Sequence, residues 1–466
     1  MTMTARLPVT AAPEPLEAYA AQFDDLFAQR SQREGFRRYL EGLLLPAERN
    51  KTLTGLANTE PVVGAQHPRA QGLQWFLSES SWAAEALNER RLTLLRADPT
   101  TAPDAQGVLV IDEHGDRKWG HKTAHVGRQY LANLGKTDSG VVSVTSLWAD
   151  ARVYYPLAYE PYTPKHHFAK GKADPAFRTK LRIAGELVTA AVAAAVPFRA
   201  VVADSFYGED AGFRRRLHEL QVGYVLALKP SHGWWHREGT IGTLRAAARA
   251  GGWRDAATPG AWVRVVRTFR DGHTETWWAL EVVAGPYGPA PRLRAVVATA
   301  DPATLPDHQT WFLATNLPAP GEPPAVAGPL PPADLAEVVR LYGLRMWVEQ
   351  SYKQTKYALG WGQYQVRSDQ AMRRHWQLVC CAFSFCWWHE SHPATPVAGR
   401  PDEDLMPQPA ADEAAGRGGN TRHAPPGVLA GGAARRARVA GAVAHALALL
   451  ARLVEAAPAA RPPAPA

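Results

Sequence analysis

Apolar and polar positions follow a helical rhythm in the first hundred residues of the chain. From residue 15 to about residue 100, apolar side chains recur at helical spacing, as in LEAYAAQFDDLFAQRSQREGFRRYLEGLLL. This spacing predicts a helical N-terminal region, residues 1–104. The middle of the region is basic, which fits either a DNA-binding surface or a solvated face. The basic residues are Arg30, Arg33, Arg37, Arg38, Arg49 and Lys51.

From Gly107 onward, the spacing of apolar residues changes to a pattern that indicates an α/β core. The runs GVLVIDE, GVVSVTSLWA and ARVYYPLAYE predict strands, and the stretch 175–195 predicts a helix. RAVVADSFYG, FRRRLHELQ and VGYVLALKP then predict a strand, a helix and a strand. Strands followed by alternating β and α elements are typical of an α/β core. We assign its first part to residues 105–228.

The rest of the chain divides into three segments. Residues 229–332 carry β signals, including a hairpin around Asp271-Gly272, and end in a proline-rich connector, which predicts an all-β insertion into the core. Helical spacing over 333–390 predicts the C-terminal helical part of the core. Residues 391–466 are rich in Ala, Pro, Gly and Arg, which predicts a largely disordered tail with room for one helix.

Composition narrows the class of protein. A chain of 466 residues with 46% hydrophobic and 21% charged residues is typical of a folded multidomain protein. All three cysteines lie in the apolar run LVCCAFSFCWW, which predicts buried thiols in a reducing compartment. Neither a signal core nor a run of ~20 apolar residues is present, so we expect a cytoplasmic protein without a membrane span. A net charge of +8 favours polyanionic partners.

One cluster of polar residues in LYGLRMWVEQSYKQTKYALGWG carries candidate chemistry. With about 100° of turn per residue, Tyr342, Arg345, Glu349 and Lys356 fall within an arc of roughly 60° on one helix face. A carboxylate beside an arginine and a lysine, with a phenol one turn away, can bind a divalent metal and hold a phosphate. The same residues also describe a solvated face with ion pairs.

Two aspartates favour the chemical interpretation of that face. Asp112 ends the apolar run VLVID, and Asp204 ends RAVVAD. Open α/β sheets place their sites at such strand ends. Together with Glu349, these side chains make three carboxylates, enough to hold two Mg²⁺ ions about 3.5 to 4 Å apart for in-line displacement at a phosphodiester. Arg345 and Lys356 would then neutralise phosphate charge.

These residues resemble a known family. The order Asp112, Asp204, Glu349, with the pattern Tyr-x2-Arg-x3-Glu-x6-Lys around the last acid, is similar to that of the DDE transposases of bacterial insertion sequences. Tyr207 adds a D-x2-Y match after the second aspartate. The resemblance implies an RNase H-like, retroviral-integrase-like α/β catalytic core that is interrupted by an all-β insertion and preceded by a helical N-terminal domain that binds DNA.

The resemblance also implies an activity and its partners. Such an enzyme cleaves at the terminal inverted repeats of its own element and joins the 3′ ends to target DNA, as a homodimer on paired double-stranded DNA ends. Asp112, Asp204 and Glu349 would bind two Mg²⁺ or Mn²⁺ ions, and Tyr342, Arg345 and Lys356 would contact DNA. Some relatives stack a flipped base on a tryptophan of the insertion. Candidates here are Trp262, Trp277, Trp278 and Trp311, for each of which packing within a strand is the simpler explanation.

Two other functions are compatible with parts of the sequence. A catalytically inactive, transposase-derived DNA-binding protein or regulator would bind the same DNA without cutting it. A carboxylate-pair hydrolase, such as a glycosidase, would use two of the three acids. The second alternative gives no reason for the basic net charge or for Arg345 and Lys356 beside Glu349.

Overall fold

The protein folds around one large mixed sheet with helices from both ends of the chain packed together beside it. The computed structural model describes residues 8–12, 14–45, 49–235, 241–269, 272–282, 293–321 and 330–392. The α-helices are α1 Leu16–Ala21, α2 Arg30–Leu44, α3 Leu53–Leu56, α4 Pro68–Ser78, α5 Ala84–Ala97, α6 Lys180–Ala193, α7 Ser205–Gly208, α8 Ala211–Glu219, α9 Leu244–Arg249, α10 Leu335–Gly343, α11 Met346–Lys353 and α12 Asp369–Ser391. A π-helical turn, Gln354–Ala358, follows α11.

Ten strands form the main sheet of the described residues, in the order β2-β3-β1-β5-β6-β12-β11-β10-β9 with β4 paired to β3. The strands are β1 Val108–Arg117, β2 Gly127–Leu131, β3 Lys136–Ala149, β4 Tyr154–Tyr162, β5 Ala200–Ala203, β6 Tyr224–Ala227, β7 Gly233–Trp235, β8 Ile241–Thr243, β9 Val263–Thr268, β10 Thr274–Val282, β11 Arg294–Thr299 and β12 Thr310–Thr315. β7 and β8 pair only with each other. Every strand and helix predicted for residues 105–228 is present, and the short edge strand β2 adds to them.

The centre of the sheet is parallel. β5 runs parallel to both β1 and β6, and its residues Ala200–Ala203 are all buried. Short apolar runs buried on both faces are typical of parallel strands. Ile111 pairs with Ala203, so the next residue on each strand, Asp112 and Asp204, follows the last pair of the register.

The segment 229–332 differs from the all-β insertion that its sequence predicts. β12 pairs with β6, and β11, β10 and β9 follow in order, so these strands extend the core sheet. The helix α9 also interrupts the segment. Its sequence LRAAAR is rich in good helix formers, and the Thr243 side chain caps it by accepting a hydrogen bond from the backbone N–H of Ala246.

The single helix predicted around Glu349 is in fact three pieces. α10 ends at Gly343, Arg345 is the residue before α11, and the π-helical turn carries Lys356. Because a π-turn is wider than an α-turn, the four motif residues do not share one regular α-helical face. The backbone stays helical throughout, so the residues still follow each other along one side of the sheet.

The N-terminal helices share their apolar core with the C-terminal helix α12. The Tyr19 hydroxyl donates a hydrogen bond to the Cys381 carbonyl at 3.1 Å, and Arg91 donates to Ser384 Oγ at 3.0 Å. Arg374 on α12 donates to the Leu77 carbonyl at 3.0 Å. Cys380 and Cys381 are free and buried, as their apolar surroundings predict, whereas Cys386 is free and only partly buried.

The basic side chains of the N-terminal region divide into inward and outward groups. Arg33, Arg37 and Lys51 are buried, and Lys51 donates to the carbonyls of Gly42 and Leu43. The outward group consists of Arg30 and Arg38, whose side chains pair with Glu34. Arg49 is partly buried and donates to the Thr54 carbonyl at 3.0 Å. The inward group therefore makes contacts within the fold, and whether the exposed residues bind DNA stays a prediction.

The predicted tail, residues 391–466, lies outside the described residues from residue 393 onward. The helix that its spacing would allow therefore stays a prediction. None of the described helices combines the length and the apolar character needed to cross a membrane.

Replacement of Arg37 should destabilise the protein without weakening DNA binding. The Arg37 side chain is 2% exposed and pairs with Glu17 and Asp24, each at 2.6 Å. Arg37→Met leaves both acids without their cation, so we expect a loss of about 3 kcal/mol in the free energy of unfolding, measured in urea. Arg38→Met, at an exposed position, is the control and should cost under about 1 kcal/mol. Equal small losses would contradict this structural role.

Replacement of Gly208 should also destabilise the protein, because a Cβ atom there would collide with the backbone carbonyl of Ala227 on β6. We expect Gly208→Ala to lower the free energy of unfolding by about 1–3 kcal/mol, the usual range for overpacking. At Gly185, in α6, an added Cβ would meet only Arg216 Cγ at 3.4 Å. Gly185→Ala is therefore the control and should be neutral or stabilising by about 0.5–1 kcal/mol. Thermal stability of Gly208→Ala equal to wild type would show that α7 and β6 are not in close contact.

Candidate active site

Asp112 lies in a buried position on β1. Its side chain is 11% exposed, and its Oδ1 accepts a hydrogen bond from the Glu113 backbone N–H at 2.7 Å. Burial raises the pKa of Asp112 to about 7, and the negative charge of Asp204 adds to the effect, while Arg345 opposes it. An acid in this setting favours a nearby cation.

Asp204 stands directly after β5 and begins the short helix α7. Its Oδ1 accepts a hydrogen bond from the Phe206 backbone N–H at 3.0 Å, which caps the helix. The second member of the D-x2-Y pattern, Tyr207, is fully buried. The Tyr207 hydroxyl points to Glu113 at 3.5 Å, on the face of β1 opposite to Asp112.

Arg345 joins the strand carrying Asp112 to the helix carrying Glu349. Its Nη2 donates to Asp112 Oδ2 at 3.0 Å, and its Nη1 lies 3.4 Å from Glu349 Oε1. The Arg345 side chain is 17% exposed, whereas that of Glu349 is 61% exposed. Among the described residues, Arg345 Nε is a buried donor without a hydrogen-bond acceptor. The guanidinium group therefore neutralises two acids and keeps one donor unsatisfied.

Tyr342 is buried against the strands of residues 229–332. Its ring lies 5.0 Å from that of Trp311, edge to face, and Trp311 lies 4.4 Å from Trp277. Burial raises the pKa of Tyr342 to about 12. The Arg267 guanidinium stacks on both tryptophans at 4.6–4.7 Å. Trp277 and Trp278 are buried on β10, and Trp262 is buried just before β9, whereas Trp311 on β12 is partly buried.

Lys356 does not lie beside the three acids. Its amine is 3.4 Å from Asp116 Oδ1 and donates to the Gly115 carbonyl at 3.0 Å. The Lys356 side chain is 14% exposed and that of Asp116 is 8% exposed. The structure thus brings Asp112, Asp204, Glu349, Arg345 and Tyr342 into one region and puts Lys356 further along β1.

The polar face of β1 extends beyond what the sequence alone assigns to the site. His114 and Asp116 share the face of Asp112, and their side chains are 3.3 Å apart. Glu113 turns to the other face, as alternation predicts, and pairs with Lys180 at 2.7 Å. The signal for the extended face is the alternating polar series D-E-H-G-D in residues 112–116, but its partners on the C-terminal helices cannot be predicted from this pattern.

The carboxylate groups of Asp112, Asp204 and Glu349 are chemically suited to bind a divalent metal ion. All three offer carboxylate oxygens, the ligands that Mg²⁺ and Mn²⁺ prefer, and the negative charge of Asp204 adds to burial in raising the pKa of Asp112. Arg345 now supplies the compensating charge. Within the described ranges, no group of three Asp, Glu, His or Cys side chains has an arrangement that could hold a metal ion. Arg345 contacts two of the three acids, so metal binding by both Asp112 and Glu349 would require these contacts to rearrange.

Known proteins share this chain's sequence over most of its length. A model of the DDE superfamily endonucleases matches residues 22–281, and one of the transposase DDE domain matches residues 178–385. The chain is 33% identical over 354 residues to a protein named as the probable transposase for insertion sequence element IS701 from Microchaete diplosiphon, covering 75% of this chain and 81% of the relative. DDE transposase domains have an RNase H-like α/β fold, bind DNA and generally use divalent metal ions. The chain therefore belongs to the DDE transposases of insertion sequences and is an enzyme of that type.

Proposed function

We propose that this transposase cleaves DNA at the terminal inverted repeats of an insertion sequence and joins the 3′ ends to target DNA by two-metal phosphoryl transfer. Asp112, Asp204 and Glu349 are the proposed metal ligands. The observation that carries the proposal is the parallel register of β1 and β5, in which Asp112 and Asp204 directly follow the last paired residues. The contact of Arg345 with both Asp112 and Glu349 adds the third acid.

Arg345 is the residue we assign to the phosphate nearest the reacting bond. Its planar guanidinium can bind phosphate oxygens bidentately, and its buried Nε has no acceptor in the described part of the chain. A DNA phosphate that accepts from Arg345 would take over the charge now balanced by Asp112 and Glu349. Both acids would then be released to other ligands.

Tyr342 is a second proposed DNA contact, and the family resemblance implies a third at Lys356. The Tyr342 hydroxyl would donate to DNA from a position that Trp311 fixes by edge-to-face packing. Burial raises the pKa of Tyr342 to about 12, so the phenol is protonated at neutral pH. Lys356 can reach a phosphate only by giving up part of its contact with Asp116. Tyr342, and Arg345 through its Nε, can therefore contact DNA without losing an ion pair of this kind, whereas Lys356 cannot.

Asp112, Asp204 and Glu349 would hold the ions through their carboxylate oxygens. Mg²⁺ or Mn²⁺ bound there would activate the attacking oxygen and stabilise the leaving oxygen of an in-line displacement. The burial of Asp112 limits the access of bulk water to its side of the site. As in relatives, we expect double-stranded DNA as substrate and a homodimer on paired ends.

Replacement of the acids should abolish cleavage and preserve DNA binding. We expect Asp204→Ala, Asp112→Ala and Glu349→Ala each to lower the rate of terminal-repeat cleavage by more than about 100-fold, the upper range for losing an outer partner of a metal site. Cleavage is followed on labelled repeat DNA and binding by gel shift. Asp307→Asn is the control, because Asp307 is 77% exposed and pairs with Arg245. Full cleavage by Asp204→Ala would overturn the assignment, and binding without cleavage by wild type would indicate an inactive regulator.

Removal of divalent metal should stop cleavage reversibly. We expect EDTA to abolish nicking of terminal-repeat DNA, and added Mg²⁺ or Mn²⁺ to restore it, because the carboxylates need a cation to bind a phosphate rather than repel it. Gel shifts in EDTA check that the DNA still binds. Activity that persists in EDTA would instead favour a carboxylate-pair hydrolase.

A further inference from the structure

Three side chains on one face of β1 each contact a different residue of the C-terminal helical segment. Asp112 meets Arg345, His114 meets Tyr352 and Asp116 meets Lys356. The strand residues advance by two at each step, and the helical residues advance by seven and then four. These steps span about 13 Å of strand and about 16 Å of helix, so the two elements stay aligned through all three contacts.

The last of the three contacts buries most of Asp116. Lys356 approaches its carboxylate at 3.4 Å and His114 at 3.3 Å. Gly362 packs so closely that a Cβ there would press on Asp116 Oδ1. Lys118 donates to the carbonyl of the same Gly362 at 2.9 Å. Burial opposes ionisation of Asp116, but the positive groups around it outweigh that effect and lower its pKa to about 2.

The middle contact holds the helix between the two ends. The Tyr352 ring lies 4.6 Å from the His114 ring, and the Tyr352 hydroxyl hydrogen bonds with Thr145 Oγ1 on β3. Tyr352 lies between Glu349 and Lys356 along the chain. The helix carrying Glu349 is thus attached to the sheet on its C-terminal side at Tyr352 and Lys356.

The buried ion pair between Lys356 and Asp116 opposes the movement of Lys356 towards a phosphate. A buried ion pair is strongly destabilised when one partner leaves, because the other charge remains uncompensated. Withdrawal of Lys356 towards a phosphate would expose Asp116 to that cost and would also release the Gly115 carbonyl. The Lys356 amine is already bound to a carboxylate and a carbonyl, so it joins two parts of the protein and is not available as a free cation.

We propose that Lys356 is a positioning residue in this chain: its ion pair with Asp116 fastens the π-helical turn onto β1 and thereby fixes Glu349 relative to Asp112. The inference rests on the proposed function, because the position of Glu349 matters for cleavage only if the three acids bind the metal ions. It departs from the direct DNA contact that the family resemblance implies for Lys356. It also adds Asp116 to the residues on which cleavage depends.

Replacement of either partner tests the proposal. We expect Lys356→Met and Asp116→Asn each to lower kcat for terminal-repeat cleavage by about 10- to 100-fold, as loss of supporting contacts does at metal sites. The double variant should be no slower than the slower single variant, because both act through one contact. The Kd for repeat DNA and its salt dependence should equal those of wild type. Hydrogen exchange, measured without metal, should rise over 346–358 in both variants and stay unchanged over 371–391.

Two controls separate positioning from general stability and from helix charge. Glu160→Gln breaks the half-buried pairs that Glu160 makes with Arg373 and Arg178, so it should lower stability without lowering kcat. Lys353→Met removes an exposed charge from the same helical segment and should leave kcat and hydrogen exchange over 346–358 unchanged.

A direct DNA contact by Lys356 predicts a different outcome. Lys356→Met would then weaken DNA binding and reduce the slope of log K against log salt by about one, while Asp116→Asn would cleave normally. That result overturns the proposal. If one variant does not fold, the other decides alone, because the salt slope distinguishes the two roles for Lys356→Met and kcat distinguishes them for Asp116→Asn. Wild type that does not cleave would refute the proposed function, whereas active wild type with an inactive Glu349→Ala and a fully active Asp116→Asn would refute only this inference.

Discussion

The parallel pairing of β1 with β5 is the constraint around which the site is built. Ile111 and Ala203 form the last pair of its register, so two aspartates follow at the same edge of the sheet. Neighbouring carboxylates repel each other, and burial strengthens the repulsion because the dielectric constant falls. A sheet with this register therefore needs positive charge at that edge. The Arg345 guanidinium meets the need in the protein alone, and metal ions with DNA would meet it in the complex.

The rest of the structure serves to bring helical residues to that edge. The strands of residues 229–332 extend the core sheet, and Trp311 on β12 packs edge to face against Tyr342. The N-terminal helices pack on α12, which follows the motif segment. Arg345, Tyr352 and Lys356 then attach that segment to β1 at three successive levels. Glu349, more than half exposed, reaches the site from a helix that is fixed on both sides.

Strong local patterns predicted most of the core, and contacts between distant residues account for what they missed. The apolar runs predicted β1, β3, β5 and β6, and the acids of two of these runs, Asp112 and Asp204, predicted the candidate site. β2 was not predicted, because GRQYL is a short, half-polar edge strand. α9 was not predicted either, although LRAAAR has helical propensity. Residue patterns also give no information on where a long cationic side chain ends. Arg37 turned inward to Glu17 and Asp24, and Lys356, in the π-helical turn, contacts Asp116.

Whether Asp112, Asp204 and Glu349 act together as the metal site is tested most directly by counting bound ions. Electron paramagnetic resonance can titrate Mn²⁺ into the complex of the protein with terminal-repeat DNA, for wild type, Asp204→Asn and the exposed control Asp307→Asn. Two bound ions in wild type and in the control, and fewer in Asp204→Asn, are expected for a two-metal site of these carboxylates. The same number of ions in all three proteins would contradict it.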